Sequence, residues 1–168
     1  MSTYEGIFDA EEIAAGIAKW AAIESPSFDA DAVNRMMDAA QEKMSALGAD
    51  IERIPGIDGY GDVLRTRFNW GEGPGILVLG HLDTVHLVGT LAESLAVTRD
   101  GDRLYGPGVL DMKGGMYLAV HALEKVIEAR GALGLPVTFL FIPDEEIGSP
   151  STRTLIETEA KAHRYVLV

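Results

Sequence analysis

Three short stretches carry side chains whose types and spacing could do chemistry: Gly80-His81-Leu82-Asp83, Asp111-Met112-Lys113-Gly114-Gly115 and Asp144-Glu145-Glu146. One imidazole with several carboxylates and no thiol is a donor set for zinc, cobalt or manganese. Alternate side chains of an extended backbone point the same way, so the Asp83 carboxylate can steady the His81 imidazole that a metal would use. A carboxylate shared by two ions, together with a free Glu that takes a proton from water, would make a two-metal hydrolase. Of Glu145 and Glu146, only one can be that base if the other is tied to metal.

Each stretch hangs on an element that must place it. The apolar run Leu77-Val78-Leu79, ended by Gly80, reads as a buried central strand that delivers His81 and Asp83 into a loop. Pro136 to Ile142 is a second strongly apolar strand, with the three acids at its tip, where open α/β sheets collect functional groups. The Gly-rich segment Tyr105 to Gly115 leads into a helix with Met116, Ala119, Val120, Leu123, Val126 and Ile127 on one face, stopped near Gly131. Such a turn could cradle phosphate on its amides or aim Asp111 at a metal; neither the phosphate-loop spacing nor Gly-x-Gly-x-x-Gly is present.

The remaining chain reads as scaffold. Asp9 with Glu12 resembles a capping box opening a helix with Ile13, Ile17 and Trp20 inward, ended by Ser25-Pro26. Asp29 to Leu47 predicts a second helix, whose stripe of Met36, Met37 and Met44 is core filling and which Gly48 ends. Ile51 to Ile54 and Asp62 to Phe68 predict strands, the second an edge or half-exposed one. Val97-Thr98 and Arg103 to Tyr105 flank the turn signal Asp100-Gly101-Asp102. Ser149-Pro150 is expected to cap a helix with Leu155 and Ile156 inward, before a last strand at Tyr165 to Val168. His86 falls outside the His81/Asp83 alternation. His121 is expected to be a satisfied or surface histidine, and His163 a surface residue.

Composition narrows the classes. The 168 residues suffice for one core, and a charge of −12, from 26 acidic against 14 basic residues, argues against nucleic acid or an anionic membrane as partner. The absence of cysteine removes disulfides, thiolate metal sites and cysteine nucleophiles. The N-terminal stretch Met1 to Gly6 lacks a basic segment followed by an apolar run, and the expected compartment is the cytoplasm.

From Gly80-His81-Leu82-Asp83-Thr84-Val85 through Gly106-Pro107-Gly108 and Asp111-Met112-Lys113-Gly114-Gly115 to Asp144-Glu145-Glu146-Ile147-Gly148-Ser149, the chain resembles the co-catalytic zinc metallopeptidase family. That family contains glutamate carboxypeptidase, aminoacylase, acetylornithine deacetylase and succinyl-diaminopimelate desuccinylase; Gly-Pro-Gly and the Gly-Ser after the Glu pair lean toward the glutamate carboxypeptidase branch. The resemblance implies a three-layer α/β/α fold with a mixed, mostly parallel central sheet. It implies His81 as ligand of one zinc, Asp83 as its orienter, Asp111 as bridging carboxylate behind a cis peptide bond to Met112, Glu145 as general base and Glu146 as ligand of the other zinc. Two zinc ions, with cobalt or manganese as alternatives, would serve hydrolysis of an amide bond next to a free carboxylate in an N-acyl amino acid or peptide. Family members carry further ligands and an inserted lid domain that usually dimerises, so residues 1–168 are expected to be the N-terminal portion of one catalytic domain, inactive alone, from a homodimeric parent. The competing reading is a non-catalytic folding or partner-binding domain with a vestigial or structural metal site.

Overall fold

The computed structural model describes residues 7–168; the Met1 to Gly6 stretch lies outside the described residues. Asp9 opens α1 (Ala10–Ala21), its carboxylate accepting the amides of Glu11 and Glu12 at 2.8 and 3.4 Å. Asp29 does the same for α2 (Ala30–Ala46) through the Ala32 amide. The methionine stripe is core as expected: Met36, Met37 and Met44 have no exposed surface, and burying such a side chain contributes about 1.5–3 kcal/mol.

Strands β1 (Asp50–Ile54), β2 (Val63–Phe68), β3 (Ile76–His81), β6 (Val137–Ile142) and β7 (Tyr165–Leu167) form one sheet in the order β1-β2-β6-β3-β7. β6, β3 and β7 are mutually parallel, and β2 alone runs against its neighbours, so the sheet is mixed with four of five strands in one direction. The short helix α3 (Thr90–Glu93) and a separate hairpin of β4 (Thr98–Asp100) and β5 (Arg103–Tyr105) follow β3, and α4 (Lys113–Arg130) and α5 (Arg153–Ala162) flank β6 in sequence.

Side-chain alternation on the central strands makes three layers. Val78, Phe139 and Phe141 face α1, α2 and α4 together with Trp20, Met36 and Met116. Leu77, Leu140 and Ile142 face the other way, against Leu155, Ile156 and Ala160 of α5. The expected α/β/α architecture is therefore observed.

Three expectations need correction. Of the edge and half-exposed readings of β2, the edge one falls: the strand is internal between β1 and β6, with Arg65 and Arg67 partly exposed on one face; Arg65 is tolerated on its α5 face because its guanidinium bonds Glu52 at 2.6 Å and the buried Glu159 at 2.5 Å. The last helix begins at Arg153 rather than at Ser149-Pro150. Buried Asp144 draws that segment inward instead, accepting from the Ser151 amide and hydroxyl and the Thr152 hydroxyl at 2.7, 2.8 and 2.5 Å. His163 is no surface residue: its ring bridges the Glu159 carbonyl at 2.6 Å and the Thr138 hydroxyl at 2.9 Å, tying the end of α5 to β6.

Candidate metal centre

The parallel register of β3 and β6 pairs His81 with Ile142, so the residues just past both strands emerge side by side at the carboxyl edge of the sheet. Helix α4 reaches the same edge because Gly80 leaves room for it. A Cβ there would lie 2.1 Å from Met116 Sδ.

His81 is 2% exposed. Its Nδ1 faces the Asp83 carbonyl at 3.0 Å and the Asp83 carboxylate at 3.3 Å, while Nε2 faces Asp111 Oδ1 at 3.0 Å and Glu145 Oε2 at 3.5 Å. The Asp111–Met112 peptide bond is cis. Glu145 and Glu146 stand on a single 3₁₀ turn, Glu145–Ile147, whose closing residue Gly148 has φ +87° and returns its amide to the Glu145 carbonyl.

Asp83 holds more than the imidazole. Its carboxylate accepts the Glu145 and Glu146 amides at 3.2 and 3.3 Å and the Ser27 hydroxyl at 2.5 Å, all in a fully buried position. Ser25 accepts the Thr84 amide on its carbonyl and donates its hydroxyl to the Leu82 carbonyl at 2.7 Å, so the segment between α1 and α2 straps the loop after β3. Behind them the Lys113 side chain is completely buried, its Nζ donating to the Ile23 carbonyl at 2.5 Å.

These surroundings set the electrostatics. Burial alone would lower the His81 pKa, but the hydrogen bond and charge of Asp83, with Asp111 on the opposite nitrogen, push it up to about 9. Glu146 is raised above the ordinary carboxylate range, first by burial and then by the charges of Asp111, Asp83 and Glu145, against the pull of His81. Burial drives Lys113 down to about 8, opposed by the charges of Asp83 and Glu24.

The structure brings His81, Asp111 and Glu146 together, one donor atom from each lying within 4.8 Å of the others. Borderline nitrogen and hard oxygen donors, backed by a carboxylate on the far imidazole nitrogen, fit a zinc-like ion. The crowding of acids that raises Glu146 is relieved by a cation in their midst. Beside the cluster lies a cavity of about 270 Å³, lined by His81, Asp111 and Glu145 and walled by Leu79, Ile142 and Ile156. A cavity of about 330 Å³ between α4 and the sheet has no ionisable lining side chain and is not part of this site. His86 is outside the cluster among the described residues.

Sequence reasoning missed four supports. Ser25 read only as part of a helix stop, Ser27 carried no reading, and Lys113 was noted inside its motif without a role. Asp144 was not separated from its two neighbours. The one available signal was Asp144 lying nearest the apolar strand, where burial is greatest.

An α/β sheet with an imidazole and carboxylates converging at the carboxyl ends of two parallel strands defines a three-layer protein with a candidate metal site. The model of peptidase family M20/M25/M40 matches residues 77–168, and the chain belongs to that family. It is 34% identical over 147 residues to carboxypeptidase G2 of Pseudomonas sp. (strain RS-16), covering 86% of this chain and 35% of that protein. It is 28% identical over 138 residues to acetylornithine deacetylase of Myxococcus xanthus, covering 79% and 35%. Its fold is shared with human carnosine dipeptidase 1 at a TM-score of 0.78 and 21% identity, over 94% of this chain and 38% of that one. The chain thus spans about a third of the length of these curated relatives. None of its described helices is long and apolar enough to cross a membrane.

Proposed function

We propose that the whole protein hydrolyses an amide bond next to a free carboxylate, in an N-acyl amino acid or a short peptide, with two zinc ions bound at this cluster. The observation that carries the reading is the position of Glu145: a half-exposed carboxylate, 3.5 Å from the His81 nitrogen that Asp111 also faces, without being one of the three clustered donors. That is where a base beside a metal belongs. His81 and Glu146 would each hold one ion and Asp111 would bridge them; when bound, zinc supplies Lewis acidity to water and to the scissile carbonyl.

Glu145 takes a proton from the water whose oxygen attacks the carbonyl carbon. When the carbon–nitrogen bond breaks, it returns that proton to the departing amine, so it ends as it began. Asp83 keeps His81 Nδ1 engaged and anchors the turn that carries both Glu residues, which fixes base and donors relative to one another. The names of the relatives, a carboxypeptidase and a deacetylase, support the same substrate class.

We further propose that residues 1–168 form the N-terminal portion of the catalytic domain. The rest of the ligands, the substrate-binding groups and a dimerising lid would come from elsewhere in the protein, and these residues alone would be inactive and bind zinc weakly at the His81 cluster. The test is turnover by the full-length, zinc-loaded protein on N-acyl glutamates and dipeptides. Glu145→Ala is expected to lower kcat roughly a hundredfold to ten-thousandfold with metal content retained; hydrolysis of no member of the panel overturns the reading.

A further inference from the structure

Helices α1 and α4 pack closely enough that a Cβ on Gly16 would lie 1.9 Å from the Tyr117 ring. One turn further along α4, that ring stacks on His121, with centroids 6.3 Å apart, and Phe8 closes over it at 6.2 Å. The imidazole is left 1% exposed, and neither of its nitrogens has a hydrogen-bond partner among the described residues. This corrects the expectation of a satisfied or surface histidine. A buried imidazole in that state is an exception that needs a cause.

The polar groups it does face are two carboxylates. Glu124 places Oε2 3.4 Å from His121 Nδ1, and Glu12 comes across from α1; one donor atom from each of the three lies within 4.8 Å of the others. Lys43 of α2 holds the other Glu124 oxygen, Oε1, at 2.6 Å, which leaves Oε2 turned toward the ring. Lys125 stands 3.6 Å from Glu12 Oε2 and is shared with Glu128 at 3.3 Å, a looser hold.

We propose that Glu12, His121 and Glu124 bind a divalent transition-metal ion, zinc or cobalt in preference to magnesium or calcium, separate from the His81 cluster and structural in effect. One imidazole nitrogen and two carboxylate oxygens supply three corners of a tetrahedron and leave the fourth to water. The nitrogen donor disfavours the hard, oxygen-seeking ions. Glu12, on the solvent side with 51% of its side chain exposed, gives the ion a way in, and Lys43 orients Glu124 from behind. The ion would clamp α1 to the helix that begins directly after Asp111 and Met112.

The test is zinc calorimetry and thermal melting on the 168-residue chain carrying Asp111→Asn and Glu146→Gln, which remove donors of the first cluster. One zinc per chain is expected, with a zinc-dependent rise in Tm. His121→Phe should abolish both, and Glu12→Gln, a change on the exposed side, should weaken binding at least about tenfold; cobalt should give the strong visible absorption of a four-coordinate site, lost in the same variants. Should His121→Phe fail to fold, Glu12→Gln and Glu124→Gln decide. No zinc bound in the parent background, or binding unchanged by Glu12→Gln and Glu124→Gln, overturns the proposal.

Discussion

The imidazole of His81 is gripped from behind by a single residue, Asp83, whose carbonyl oxygen lies 3.0 Å and whose carboxylate lies 3.3 Å from Nδ1. The same carboxylate receives the amides of Glu145 and Glu146, so one buried side chain spaces the imidazole and the Glu pair. Asp83→Asn keeps the carbonyl contact and removes the charge. Zinc affinity of the full-length protein is expected to fall about tenfold to a hundredfold, with the fold retained, as for other partners behind a metal-bound histidine. Calorimetry checks it, and an unchanged affinity would show that the carbonyl alone orients the ring.

The pKa of His81 gives metal binding a definite pH dependence. Raised from 6.5 to about 9, it stabilises the metal-free fold fully below pH 6.5, and that contribution is lost as pH rises through 9. An ion on Nε2 must displace the proton there. Zinc binding at the His81 cluster at pH 7 should therefore release about one proton, and apparent affinity should rise about tenfold per pH unit toward pH 9. Calorimetry in two buffers of different ionisation enthalpy, with His121→Phe to silence the second cluster, measures the count; a value near zero contradicts it.

Lys113 carries the opposite sign. Depressed from 10.5 to about 8, it adds stability above pH 10.5 that is lost as pH falls through 8, on the order of 3 kcal/mol across that window. Urea unfolding of the chain and of Lys113→Met between about pH 7.5 and about pH 10.5 isolates it. The stability difference between them should shift toward the wild type as pH rises; a difference independent of pH would mean that the amine stays charged.

Asp144 and Glu145 are adjacent acids with contrasting fates. Asp144→Ala removes three hydrogen bonds to a buried carboxylate and should cost roughly 2–4 kcal/mol of stability. Glu145→Gln, on a side chain 52% exposed, should change stability by no more than about 0.5 kcal/mol. Chemical denaturation of the two variants compares them, and equal losses would contradict the division into anchor and base.

That contrast shows where the sequence was readable. Each reactive residue lay at the end of an apolar strand or before an apolar helix, and the periodicity that marks those elements also marks their tips, so His81, Asp111 and the Glu pair could be singled out. What joins them depends on strand order. Asp83 reaches the Glu145 amide because β3 and β6 are parallel neighbours, a pairing across more than sixty residues with no local trace. For the same reason the alternation of β2 suits an edge as well as a half-exposed strand, although long-range pairing puts it inside the sheet. The start of α5 was misjudged because Ser149-Pro150 is a sound local helix signal that Asp144, buried by its strand, overrides through Ser151 and Thr152. The burial of His121 depended on the close approach of α1 at Gly16, which helical spacing within α4 cannot reveal.

The central claim is that His81, Asp111 and Glu146 hold metal with Glu145 beside it as base. Anomalous diffraction at the zinc edge, from crystals of the chain grown with saturating zinc, tests it most directly. The account predicts a peak within ligand distance of His81 Nε2, Asp111 and Glu146, absent in crystals of His81→Ala, with Glu145 left uncoordinated. No peak at this position in the unmutated chain, or one bound by Glu145 in place of Glu146, would contradict it.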